Sequence, residues 1–180
     1  MKTKLWILIG ILLVTTFTWA FIYTYPRQLK VTMQGVMFQL GEVHKDKLNP
    51  TAISVHGELK KSIRGVRTFQ GTIDIEGENI PVPEENRKLE LRFSKQGETQ
   101  LFYRYFDNGS FKQFLYGILF INKDFSKIAI MKYQRNPDGH GGGWNGGDGY
   151  MISAPAQNRE EALEISNELL DDTYANPPLK

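Results

Sequence analysis

The residues that could carry chemistry are few, and most of them lie in one glycine-rich segment, residues 136–150. Seven of its fifteen residues are glycine, and Asp138, His140 and Asp148 lie among them. Carboxylate oxygens and an imidazole nitrogen can together bind a metal ion. One hypothesis is therefore a metal-dependent or hydrolytic enzyme that uses His140 with Asp138 or Asp148. Because loops preorganise metal ligands poorly, we predict no resident cofactor and leave the metal unassigned.

The same segment contains a large apolar side chain, Trp144, with no neighbour in the sequence to bury it. Such residues often anchor a ligand or a protein partner. Together with His140, Asp148 and Tyr150 it forms the candidate ligand-binding or partner-binding surface of this chain. Two other interpretations stay open. The segment is a long hairpin connection, or Trp144 folds back onto the rest of the domain.

Motifs for other reactions are missing. Gly141, Gly143 and Gly146 match G-x-G-x-x-G, but a dinucleotide-binding loop leads into a helix, and a short strand at 150–153 is predicted here. The sequence has no Walker lysine motif and no G-x-S-x-G elbow. It has no cysteine, which excludes thiolate metal sites and cysteine nucleophiles. An enzyme is therefore the less favoured class.

Charge is balanced overall but not along the chain. The net charge is +2, which gives no reason to expect nucleic acid as a partner. Residues 27–67 contain eight Lys or Arg and three Asp or Glu, whereas residues 159–172 contain six acids and one base. These segments form solvated faces, or the basic one lies near anionic headgroups or an anionic wall polymer.

Short segments with the alternation of β-strands fill the middle of the chain. Leu89, Leu91 and Phe93 alternate with charged residues, and residues 69–75 have the same period. Residues 101–121 predict a hairpin whose turn contains Asn108-Gly109, a dipeptide that suits tight turns. Its aromatic residues occur on both faces, which predicts a position in the middle of the sheet. Val31–Leu40 and Ala52–Leu59 are weaker strand candidates.

Helical spacing returns near the C-terminus. Asn158 is a plausible N-cap, and Ala162, Ile165 and Leu169 line one face. The order of seven or eight strands followed by one helix predicts a mainly β, α+β domain. The strands form an antiparallel barrel, calycin-like as the best match, or an open curved sheet. A single transmembrane helix precedes them.

The predicted organisation has five parts. They are an N-terminal helix at 1–25, a juxtamembrane linker at 26–30, the β domain at 31–155, the amphipathic helix packed on the sheet at 156–174, and a tail at 175–180.

The N-terminal segment predicts a membrane anchor. Leu5–Tyr25 has neither charge nor proline, and as a helix it would span about 31 Å, close to the thickness of a bilayer core. Lys2 and Lys4 precede it and Pro26 ends it. The lipid bilayer is thus a partner through residues 5–25. The alternative is a signal peptide cleaved near Ala20, which would give a secreted protein.

Flanking charges set the expected orientation. The amino terminus, Lys2 and Lys4 give three positive charges on one side, against Arg27 and Lys30 on the other. The positive-inside rule therefore places the domain outside the cytoplasm. The favoured function is a single-pass, membrane-tethered binding or accessory module for an unknown protein or small apolar ligand. A structural or immunity-type partner of another membrane protein is a further alternative.

Overall fold

The fold is known from a computed structural model that describes residues 2–135, 142–174 and 178–180. One α-helix, α1 (Lys2–Thr24), precedes the strands in the chain, and another, α2 (Arg159–Tyr174), follows them. The strands are β1 (Arg27–Gln39), β2 (Leu48–Lys61), β3 (Arg67–Ile75), β4 (Leu89–Arg92), β5 (Glu98–Asp107), β6 (Ser110–Ile121), β7 (Ile128–Lys132), β8 (Gln134–Arg135), β9 (Gly142–Gly143) and β10 (Tyr150–Ala154). Two short 3-10 turns, Glu42–His44 and Glu84–Asn86, lie in loops.

Eight of these strands form one sheet in the order β4-β3-β2-β1-β10-β7-β6-β5, and every neighbouring pair is antiparallel. From β1 to β4 and from β5 to β7, strands that follow one another in the chain are neighbours, β10 lies between β1 and β7, and β4 and β5 are the two ends of the order. The sheet is therefore largely an up-and-down meander, and it curls into a nearly closed barrel. β8 and β9 form a separate two-stranded ribbon. The predicted mainly β fold with an antiparallel barrel and a C-terminal helix is confirmed, and the calycin-like assignment stays a prediction.

Residue alternation decides which side of each strand faces inward. In β3, Phe69, Gly71, Ile73 and Ile75 are buried while the residues between them are more exposed. β4 repeats the pattern over four residues. The β5–β6 turn also follows the sequence, since Asn108 has φ 49° and Gly109 has φ 75°. Two successive positive φ angles match the twist of a tight hairpin.

Two apolar clusters lie on opposite sides of the sheet. The inner cluster fills the barrel with large side chains, among them Phe69, Phe125, Ile53 and Leu101, all at most 2% exposed. The outer cluster lies between the sheet and α2 and includes Phe38, Phe120, Met151 and Leu170. α2 begins where predicted, because Asn158 Oδ1 accepts a hydrogen bond of 2.9 Å from the Glu161 amide, a cap that contributes about 1 kcal/mol.

Two expectations about the sheet are wrong. Residues 27–30, predicted as a linker, belong to β1 and pair with residues 56–59, since Leu29 faces the core between exposed neighbours. The aromatic β5–β6 hairpin, predicted to be central, ends the strand order. Tyr103 and Tyr116 are core residues, but Phe106 is 70% exposed.

α1 is the one helix in the described part of the chain that is long and apolar enough to span a membrane. Its apolar window is Trp6–Thr24, and none of it is buried against the barrel. A signal sequence has the same properties. Only Tyr25 and Pro26 separate α1 from β1. Its last turns lie against β2, where the Lys61 ammonium is 4.3 Å from the centre of the Tyr23 ring.

Candidate functional site

The barrel has two ends, because the meander connects its strands alternately at each. The α1 end carries the loops at 62–66, 93–97 and 122–127. The far end carries the connections at 40–47, 76–88, 108–109 and 133–149. The predicted glycine-rich segment therefore belongs to the end opposite α1.

The predicted site residues are placed differently from one another. Asp138 and His140 lie outside the described residues. Asp148 is exposed, and its backbone carbonyl accepts a hydrogen bond of 2.9 Å from the Gln39 side-chain Nε2. Tyr150 is half-buried in β10. Among the residues that the structure describes, no group of three or more His, Asp or Glu side chains is arranged to bind a metal.

Trp144 is half-buried and packs against the outer cluster. Its indole Nε1 donates a hydrogen bond of 3.1 Å to the Tyr150 carbonyl. The structure thus brings Trp144 and Tyr150 together, in the arrangement where the indole folds back onto the domain. A role of this pair in binding stays a prediction.

A polar cluster that the sequence analysis missed lies inside the barrel towards the far end. Lys132 Nζ is 2.6 Å from Glu78 Oε1, and the Tyr116 hydroxyl donates a 3.0 Å hydrogen bond to Glu78 Oε2. The two charged side chains are only 26% and 12% exposed. Every fully buried side-chain nitrogen or oxygen in the described residues has a hydrogen-bond partner. This cluster is therefore internally satisfied and holds the 76–88 loop on the barrel.

Burial raises the pKa of the two tyrosines inside the barrel, Tyr103 and Tyr116. Burial, helped by the nearby Asp74 carboxylate and opposed by Arg87, raises the pKa of Tyr103 to about 12. Burial and then Glu78 raise the pKa of Tyr116 still further. A neutral phenol with a raised folded-state pKa stabilises the fold below the unfolded pKa of about 10, and that stability is lost as the pH rises above it.

We therefore predict that Tyr103 and Tyr116 stay neutral at pH values where free tyrosine ionises. The double variant Tyr103→Phe/Tyr116→Phe should leave the first step of a phenolate absorbance titration unchanged. It should also lose stability less steeply with rising alkaline pH in urea unfolding. A smaller first step in the variant would mean that the two phenols ionise in the folded protein, contrary to this expectation.

The barrel is open along one seam, between β4 and β5. A tight turn joins these strands, in which the Ser94 amide donates a 2.8 Å hydrogen bond to the Glu98 carbonyl. Beyond the turn they diverge: in the described residues β4 pairs only with β3, and β5 only with β6. A cleft of 820 Å³ lies between the two strand edges. The seam therefore presents edge backbone that can accept another strand.

The walls of the seam cleft are polar and carry more positive than negative charge. Three cations, Lys88, Arg92 and Arg104, line it together with two carboxylates, those of Glu90 and Glu98. The Arg104 guanidinium stacks over the Phe102 ring at 4.9 Å. Phe102 also lines an adjoining groove of 450 Å³ on the outer face of β5 and β6. The two depressions thus share one aromatic side chain.

The tip of the β5–β6 hairpin extends this surface. Phe106 and Phe111 are 70% and 56% exposed, and their ring centroids are 5.7 Å apart in an edge-to-face arrangement. The two rings form an exposed apolar patch at the end of the hairpin. The sequence predicted a hairpin at residues 101–121, but it did not separate the buried rings of this hairpin from the exposed ones.

The seam cleft and the adjoining groove share Phe102. Together with the hairpin tip, we call them the seam surface. It offers main-chain hydrogen-bonding groups, guanidinium groups and aromatic rings, the three kinds of group that recognise an extended polypeptide. Comparison with protein-family models, with curated proteins and with solved structures gives no match to this chain.

Proposed function

We propose that this protein is a membrane-tethered, extracytoplasmic binding module that captures an extended segment of a protein partner along the seam surface. The observation that carries the proposal is the open seam itself, where two neighbouring strands leave an 820 Å³ cleft instead of pairing. In this reading α1 anchors the module in the bilayer and the barrel presents the seam to partners.

Main-chain geometry supports strand addition. Backbone groups along an antiparallel strand point alternately to its two neighbours. The Glu98 carbonyl faces the seam side, where it accepts from Ser94, so the backbone groups of Gln100 point the same way, before the register against β6 shifts between Leu101 and Phe102. An added strand would pair with these groups, as in other cases of β-augmentation.

Charge and aromatic contacts would select the partner. With three cations and two carboxylates on its walls, the cleft favours a segment with net negative charge. Arginine binds carboxylates with two parallel hydrogen bonds, and Arg104 already lies stacked on Phe102. Phe106 and Phe111 would then pack against apolar side chains next to that segment. The partner we propose is therefore a protein with an extended, acidic and partly apolar segment.

The anchor supports the extracytoplasmic location. None of the apolar window of α1 is buried against the barrel, and a helix apolar on all sides is stable when lipid surrounds it. The flanking charges favour the amino terminus in the cytoplasm. Cleavage near Ala20 would release the same module in soluble form.

Site-specific photo-crosslinking tests the seam. A photoreactive amino acid replaces Gln100 in the seam, or as a matched control Gln28, an exposed glutamine on β1 at the opposite side of the barrel. In intact cells the probe at Gln100 should give a discrete crosslinked protein, and the probe at Gln28 should not. In the Arg92→Glu/Arg104→Glu background that yield should fall about tenfold or more, because losing one charge contact costs at least about 1.4 kcal/mol.

The control for charge is Lys30→Glu, a charge reversal at an exposed residue of β1. It should leave the Gln100 crosslink intact. Equal crosslinking from Gln28 and Gln100 would overturn the seam as the binding surface. An unchanged yield in the double reversal would overturn the acidic segment as its occupant.

A further inference from the structure

A second cavity lies where α1 joins the barrel. It has a volume of 530 Å³, and four cations line it: Arg27, Lys61, Arg67 and Lys123. None of the side chains that line it is acidic. The last turn of α1 and Tyr25 form the remaining wall with apolar and aromatic side chains. The cavity therefore concentrates positive charge directly beside the end of the apolar helix.

We propose that this cavity binds the phosphate headgroup of an anionic phospholipid. The inference rests on the part of the proposed function that places α1 in a bilayer, and it adds a specific lipid site at the helix–barrel junction.

The position of the cavity relative to the bilayer fits a phosphate headgroup. Its α1 wall begins at Phe21, within the last turn of the Trp6–Thr24 apolar window. Residues at the end of a membrane-spanning helix lie at the level of the headgroups. A phosphate there would meet the four cations, and the acyl chains would continue along the exposed face of α1.

Arg67 is the most buried of the four cations, with 9% of the residue exposed. Its guanidinium donates a 2.7 Å hydrogen bond to the Asn122 carbonyl and lies 5.8 Å from the centre of the Phe93 ring. The ion pairs among the described residues include none of the four cations. Burial lowers the pKa of Arg67, as desolvation does for a cation. A partly buried cation that lacks a carboxylate partner is a natural place for an external anion.

Lys61 at the end of β2 and Lys123 in the β6–β7 turn complete the site. The Lys61 ammonium is held over the Tyr23 ring of α1 at 4.3 Å, so it is already positioned at the cavity. Lys123 lies in the β6–β7 turn beside Asn122, whose carbonyl binds Arg67. The end of α1, the end of β2 and the β6–β7 turn thus converge on one position.

The two ends of the barrel also differ in charge, and the α1 end is the more positive one. At the α1 end, residues 61–67, 94–97 and 122–127 contain six Lys or Arg and one acid, and one of these cations, Lys127, is paired with Glu168 of α2. At the far end, residues 40–47 and 76–88 contain six acids and four Lys or Arg. An anionic membrane surface attracts the first end and repels the second, which would keep the cavity at the headgroups and the far end away from them.

The test uses the full chain reconstituted in nanodiscs that contain phosphatidylcholine with a minority of phosphatidylglycerol. Native mass spectrometry of the released protein measures the ratio of the two lipids that stay bound. Wild-type protein should retain phosphatidylglycerol preferentially. The Lys61→Gln/Lys123→Gln variant should lose about thirtyfold in that preference, the effect expected of two lysines at a headgroup. The matched control Lys45→Gln/Lys112→Gln removes two exposed far-end lysines and should behave as wild type.

Three results would overturn the proposal. The first is equal retention of both lipids by the wild type, and the second is an equal loss in the variant and the far-end control, which would mean a diffuse surface effect. The third is displacement of the lipid by millimolar inorganic phosphate, which would assign the site to free phosphate. Failure of the anchor itself is measured separately, because alkaline carbonate would then extract the protein from membranes. None of these results affects the Gln100 crosslink.

Discussion

Replacing Lys132 by methionine should destabilise the domain by about 3–5 kcal/mol, the usual cost of removing one member of a buried ion pair. The Glu78 carboxylate would remain in the barrel, 12% exposed, with the Tyr116 hydroxyl as its hydrogen-bond donor. For a domain of this size each kcal/mol lowers Tm by about 2–4 °C. Thermal unfolding of the variant should therefore begin at least about 6 °C below that of the wild type.

The chain provides a matched control at its surface. Lys127 and Glu168 are 2.5 Å apart, almost the same separation as Lys132 and Glu78 at 2.6 Å, but their side chains are 37% and 51% exposed. Lys127→Met should cost only about 0–1 kcal/mol. The double variant Glu78→Gln/Lys132→Met should recover much of the loss, because no unpaired charge remains inside. Equal losses from the two single variants would show that burial does not decide the strength of these pairs.

Local signals in the sequence predicted local structure well. Asn108-Gly109 specified its own turn, Asn158 specified the start of α2, and the period of two around Leu89 specified the inward face of β4. Each of these depends on residues within a few positions of one another. The antiparallel β fold followed from the count of short strands and the turns between them, but that pattern left a barrel and an open curved sheet as alternatives.

Contacts between residues that are far apart in the sequence could not be predicted in this way. Glu78 and Lys132 are 54 positions apart, and neither position looks buried in its own segment. Trp144 has no local apolar neighbour, yet the outer cluster supplies one. The seam depends on the strand order, which the sequence does not specify. A hairpin that is apolar on both faces has the same sequence pattern in the middle of a sheet as it has beside a cleft. For the same reason the sequence analysis placed its candidate site in the glycine-rich segment and missed the seam.

The relation between the two proposed sites follows from the meander. Because connections alternate between the ends, the α1 end holds the cation-lined cavity, and the far end holds the hairpin tip with Phe106 and Phe111. The seam runs along the barrel between them. A partner segment could therefore occupy the seam while the lipid site fixes the barrel on the membrane, so the two bindings need not compete.

Gly71→Ala should destabilise the domain about as much as Lys132→Met, because there is no room for a side chain at position 71. Gly71 lies opposite Gly57 in the β2–β3 pair. A Cβ at Gly71 would come within 2.1 Å of the His56 carbonyl oxygen, 2.5 Å of the Gly57 Cα and 2.8 Å of the Phe69 ring. Two of these atoms are backbone, so β2 and β3 would have to separate. We expect a cost of about 3 kcal/mol, at the upper end for overpacking, measured by urea unfolding.

Gly143→Ala is the control, since a Cβ there would meet nothing within 4 Å, and it should change stability little. The variant Phe69→Leu/Gly71→Ala identifies which contact matters. If the backbone contact decides, shrinking the ring will not restore stability, and the double variant will be less stable than either single one because Phe69 is a fully buried core residue. Full recovery would instead mean that only the Phe69 ring requires glycine at 71, and that β2 and β3 can accept a side chain at their closest approach.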